Sequence, residues 1–164
     1  MTGTAKTLVR AGLTTALVDG LFSSILSAFF YGSTVARLWK GVASVPFGPA
    51  ALDGGGGMVA VGLAPHVTTA FTWSAVFLFG VSRLDWIRRL LESRYGVAKV
   101  AALFGPSVWL AMSLVVIPLF TQRPPAFTVR WLIQLIGHAP FVGGPIVATV
   151  SGRRAASSSP LAPG

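Results

Sequence analysis

Four stretches of this chain are each apolar for about the length a helix needs to cross a lipid bilayer, and this constrains the fold more than any other feature. They cover residues 11–36, 59–82, 100–120 and 129–150, with Asp19 the only formal charge in the interior of the first. A helix rising about 1.5 Å per residue crosses a ~30 Å hydrocarbon core in about 20 residues. Lipid offers no partner to an open backbone N–H or C=O, so segments of this kind must be helical. The composition agrees: 53% of residues are hydrophobic, 10% are charged and the mean hydropathy is +0.73. The expectation is an all-α polytopic membrane protein. Residues 1–150 form one four-helix transmembrane domain, and residues 151–164, small and polar, form a disordered cytoplasmic tail.

The basic residues orient the bundle. Lys6 and Arg10, the cluster Arg83, Arg88, Arg89, Arg94 and Lys99, and Arg153 and Arg154 fall on one side, whereas Arg37, Lys40, Arg123 and Arg130 fall on the other. Positive-inside therefore puts both termini and the segment between the second and third spans in the cytoplasm, as in a multi-pass protein of the cell inner membrane. The first stretch is too long for a signal-peptide core, contains an aspartate and lacks a convincing cleavage site, so it is expected to be retained. The net charge of +9 is then a topology signal, and no nucleic-acid partner is expected.

Between the second and third spans, residues 82–96 place Leu84, Ile87, Leu90 and Leu91 at helical spacing with arginines mostly opposite. This pattern predicts a cytoplasmic interfacial helix, with Trp86 and Tyr95 at headgroup level and anionic lipid drawn to Arg83, Arg88, Arg89 and Arg94. On the other side, residues 37–57 read as an outer loop ending in a flexible glycine run, with Asp53 as N-cap of the second span.

The first span carries two stripes at four-residue spacing. Gly20, Ser24, Ala28 and Gly32 form a small-residue stripe suited to helix packing. Asp19, Ser23, Ser27 and Tyr31 form a polar stripe that should also face inward, because a central aspartate facing lipid costs ~2.5–3.5 kcal/mol on insertion scales. Counting helix rise from the expected ends puts Asp19 at a depth of ~12 Å, His138 at ~15 Å and His66 at ~20 Å. Arg130, Gln134 and His138 share one face of the fourth span. The candidate polar site is therefore Asp19, His66, Gln134 and His138, with Asp19 and His138 expected to pair.

The runs "GVASVPFGPAALDGGGGMVAVGLAPHVTTAFTWSAVF", "WLAMSLVVIPLF" and "LIGHAPFVGGPIVA" resemble a family of small four-span bacterial integral membrane proteins with no established activity. The likeness covers residues 8–154. His66, Gly137, His138, Val142, Gly143 and Pro145 match its pattern, while Pro140 and Gly144 depart from it. It supports the topology and implies no activity.

The chemistry available is narrow. With no cysteine there can be no disulfide, thiolate metal site or iron–sulfur cluster. No HExxH, serine-elbow or phosphate-loop pattern occurs, and one intramembrane aspartate cannot form a proteolytic dyad. Two histidines at depths ~5 Å apart suit a shared haem poorly. The chain is thus expected not to be an enzyme and to hold no cofactor or metal. A non-enzymatic accessory or assembly role is the leading expectation, with the polar residues as an interhelical hydrogen-bond network. The alternative is proton-linked permeation of a small solute through an oligomeric bundle, using Asp19 and His138. The partner classes are the bilayer itself and a second copy of the chain or another membrane protein.

Overall fold

The protein, seen in a computed structural model, is described over residues 2–158, with side chains as far as Gly152. Four helical segments are long and apolar enough to span a membrane: Gly3–Phe30, Gly57–Arg83, Gly96–Thr121 and Val129–Gly152. The fold is all-α, as expected, and the chain reads as a multi-pass membrane protein.

Helix α1 (Gly3–Ile25) begins well before residue 11, because Thr2 caps it by accepting the Ala5 N–H. It continues through a π turn, Leu26–Phe30. Gly32, at φ 57°, then turns the chain out of the helix, a conformation that costs glycine little. Thr34 accepts the Arg37 N–H and starts a new helix, α2 (Val35–Phe47). Two expectations change here. The first span stops before residue 36, and the segment that follows is not a simple loop but a 13-residue helix followed by a 3-10 turn, Pro49–Leu52. Asp53 closes that turn, and the residue before α3 (Gly57–Phe79) is Gly56, not the expected aspartate cap.

A short turn leads to α4 (Asp85–Glu92), then α5 (Gly96–Ala111), a π turn Met112–Val116, and α6 (Ile117–Thr121). The last span is α7 (Val129–His138), a π turn Ala139–Gly143, and α8 (Gly144–Ser158). Helix α8 passes residue 151, where the disordered tail was expected to begin, and the remainder of that tail lies outside the described residues. Two of the π turns end two residues before a proline, Pro118 or Pro145. Proline has no N–H to donate to the preceding turn, and the widened turn redistributes the carbonyls left behind.

Packing divides the bundle lengthwise. Toward the end that carries α4, residues Phe77, Val100, Phe104, Ile146, Val147 and Val150 form a dense core, and Ile87 of α4 inserts into it. The closest backbone approaches need glycine. Gly105 of α5 lies against the His138 carbonyl, Gly143 against that of Ala101, and Gly62 of α3 against that of Trp39 in α2. Outside the bundle, Leu13, Leu17, Leu21, Ile25 and Phe29 make an exposed apolar stripe on the first span, the surface a lipid chain would cover.

Candidate functional site

The half of the bundle away from α4 is hollow. A cavity of about 960 Å³ lies among α1, α2, α3, α5–α6 and α7, with mostly apolar walls and a rim at the exposed residues Arg37, Pro46, Phe47, Phe120 and Arg130. Its size falls in the range of small-molecule sites, ~300–1,000 Å³.

Helix α1 supplies the polar wall. Thr15, Asp19, Ser23, Ser27 and Tyr31 all line the cavity, so the expected polar stripe faces inward and extends one step further, to Thr15. A four-residue step overshoots a 3.6-residue turn by about 40°. The π turn at Leu26–Phe30 widens the last step and returns Tyr31 to the same face. The small-residue stripe behaves differently along its length. Gly20 is buried, with room for a Cβ only 3.3 Å from the His66 ring, and Ser24 is half-buried. Ala28 and Gly32 are exposed, and Gly32 terminates the helix.

His66 of α3 reaches across to α1. Its Nε2 lies 2.9 Å from the backbone oxygen of Ala16, and a carbonyl can only accept, so Nε2 carries the hydrogen. In a neutral ring Nδ1 is then a bare acceptor, and it lies 3.9 Å from Asp19 Oδ2. Trp39 of α2 meets the ring edge-on, with centroids 5.0 Å apart. His138 is fixed by the same logic. Its Nδ1–H donates to the Gln134 backbone oxygen at 2.7 Å, leaving Nε2 as acceptor, and the ring lies beside Trp109 at 4.9 Å.

All four candidate site residues, Asp19, His66, Gln134 and His138, therefore line one cavity. Asp19 interacts electrostatically with both His138 and His66, and more strongly with His138. Its Oδ2 also lies 3.9 Å from His66 Nδ1, a contact the depth count did not anticipate because it started α1 at residue 11 and α1 starts at Gly3. Counted from the span ends Gly3, Arg83 and Gly152, Asp19, His66 and His138 lie at ~24, ~26 and ~21 Å, which brings all three nearly level.

Several polar atoms have no partner. Asp19 Oδ1, Gln134 Oε1, Thr15 Oγ1, the Tyr31 hydroxyl and Trp109 Nε1 are buried without a hydrogen bond. At the rim, Arg130 donates to the Tyr31 backbone oxygen at 3.0 Å and lies over the Tyr31 ring at 4.6 Å. Sequence reasoning missed the α2 wall, Leu38, Val42 and Val45. Gly32 followed by Ser33 and Thr34 was the available signal, since glycine and then a capping residue marks a helix end and a new start. Nothing local pointed to Trp109.

Among the described residues, no three His, Cys, Asp or Glu side chains gather in a way that could hold a metal ion. No known family model, curated protein or solved structure matches this chain. The site is read from its own geometry.

Proposed function

We propose that the chain is a non-enzymatic integral membrane protein that binds a small solute in this cavity and passes it across the bilayer, with Asp19, His66 and His138 as the protonatable groups that link passage to proton movement. The observation that carries this reading is the large cavity bordered by unpartnered polar atoms. An assembly role would place the same residues in a closed network, each bond contributing ~0.6–2 kcal/mol. Buried polar groups left unpaired instead cost about 1–3 kcal/mol each, which a bundle serving only to pack has no reason to retain. A solute or water that completes their hydrogen bonds gives a reason.

The cavity is one-sided. Trp73, Val108 and Val142 line it and also belong to, or pack against, the dense core, so passage requires a second arrangement in which that layer opens. The same reading places both termini in the cytoplasm, with α4 at the inner headgroup level of the cell inner membrane. It is supported by the exposed Trp86, Arg88 and Arg89 around the anchored Ile87.

The test uses the absence of cysteine, which lets single-cysteine variants report without background. Ser23→Cys, Ser27→Cys and Gln134→Cys in vesicles are expected to react with a water-soluble, membrane-impermeant thiol reagent, whereas Leu17→Cys and Leu21→Cys are not. Protection of the three cavity positions would return the assembly reading to first place.

A further inference from the structure

The hydrogen-bonding character of the deep end of the cavity is unbalanced. His66 and His138 each give their N–H to a backbone carbonyl, of Ala16 and Gln134 respectively, so each neutral ring offers only a lone pair to any ligand. Asp19 is the one formal charge at this depth, its Oδ1 is unpartnered, and Gln134 Oε1 is unpartnered as well. The donors there, the Trp109 Nε1–H and the Thr15 hydroxyl, both unpartnered, and the Gln134 amide, are all neutral, so none offsets the Asp19 charge. The closest pair makes the need specific: Asp19 Oδ2 and His66 Nδ1 face each other at 3.9 Å, too far for a hydrogen bond and with lone pairs opposed.

We propose that the ligand of this cavity is an organic amine in its ammonium form with an apolar body, its nitrogen seated between the Asp19 carboxylate and His66 Nδ1. This rests on the solute-binding reading above and names the solute class. A nitrogen placed ~2.9 Å from both atoms subtends an angle of about 85°, which two N–H bonds of an ammonium accommodate with modest bending. The third N–H remains for a further acceptor of the cluster. The walls select the rest of the molecule. They are mostly apolar and include the rings of Trp73 and Trp109, which hold an apolar body and attract a cation through their faces. The rim arginines do not reverse this preference. Arg130 is held by the Tyr31 carbonyl and ring, and both Arg37 and Arg130 are exposed, where water and salt screen them.

The experiment uses the full chain in lipid nanodiscs and three fluorinated probes of matched size followed by 19F NMR: 4-fluorobenzylamine, 4-fluorobenzyl alcohol and 4-fluorobenzoate. The trimethylated form of the amine, which is charged but has no N–H, is the fourth. The expected result is saturable binding of the primary amine, at least tenfold tighter than the alcohol or the benzoate and tighter than the trimethylated form. Asp19→Asn should weaken the amine at least tenfold, and Gln134→Leu should weaken it without abolishing it. The proposal is overturned if the alcohol or the benzoate binds as tightly as the amine, if no probe saturates, or if a folded Asp19→Asn protein binds the amine unchanged. The comparison among probes on the unsubstituted chain stands even where a variant fails to fold. Should the amine fail while the cavity cysteines react from water, the amine assignment falls and the solute-binding reading survives; if those cysteines are also protected, both fall.

Discussion

Asp19 and His66 are held face to face because each is fixed by its own helix. Asp19 lies on the inward polar stripe of α1, and the His66 ring is tied to the Ala16 carbonyl at 2.9 Å. Contacting residues of this kind typically show coupling energies of about 0.5–3 kcal/mol in a double-mutant cycle. Thermal unfolding of Asp19→Asn, His66→Ala and the double variant in detergent should therefore depart from additivity, and so should the equivalent cycle with His138→Ala. Strict additivity in both cycles would show that Asp19 is coupled to neither histidine. Gly20 supports the arrangement from beneath, since a Cβ there would sit 3.3 Å from His66 Nε2 and 3.5 Å from the Trp39 ring. Gly20→Leu should force both rings aside and cost about 1–3 kcal/mol by overpacking, read as a lowered unfolding temperature. The same change at Gly41, where a Cβ meets nothing within 4 Å, should leave the temperature near its starting value. The polar stripe was legible in the sequence because four-residue spacing is a local property. The contact of Asp19 with His66 was not, because it depends on where two helices begin.

At the scale of elements, α2 distinguishes this bundle from four plain spans. It packs chiefly on α3 through the contact of Gly62 with the Trp39 carbonyl, and it buries Trp39 and Ala43. Any side chain at position 62 would meet backbone, which cannot swing away. Gly62→Leu is therefore expected to separate α2 from α3, open the cavity wall formed by Val42 and Val45, and raise thiol reactivity at Ser27→Cys. Unchanged reactivity and stability would show that α2 is not a fixed wall. Gly105→Leu, against the His138 carbonyl, should act on the other side of the cavity by pushing α5 from α7, again with a loss of about 1–3 kcal/mol or more. The sequence directed attention to small residues in α1, yet the tightest approaches use glycines of α3, α5 and the π turn before α8. A small residue is recognisable in any helix, but which one meets a backbone depends on the crossing point of the two axes.

At the scale of the whole molecule, the dense core and the cavity occupy opposite halves of one bundle. The half with α4 is filled by Phe77, Phe104, Ile146 and their neighbours. The half with α2 is left open around the polar groups. Among the described residues, Lys6, Arg10, Arg83, Arg88, Arg89, Arg94 and Lys99 flank the filled half against four basic residues at the cavity end, so the positive-inside bias predicts that the cavity opens away from the cytoplasm. Reporter fusions at Gly164 and within the glycine run 54–57 should report opposite sides of the membrane. The same side for both would overturn the orientation and, with it, the side from which a solute enters.

Apolar length, the basic asymmetry and the four-residue polar stripe are written along the chain, because each depends on near neighbours or on the bilayer, a solvent whose thickness is known in advance. They determined four spans, an all-α fold and an inward-facing Asp19. Only the tertiary structure decided that residues 35–47 fold back as α2, that Asp19 meets His66, and that the polar groups border a cavity instead of closing on one another. Those outcomes depend on the points where helices begin, cross and turn, and a shift of a few residues in any helix start moves a side chain by several ångströms.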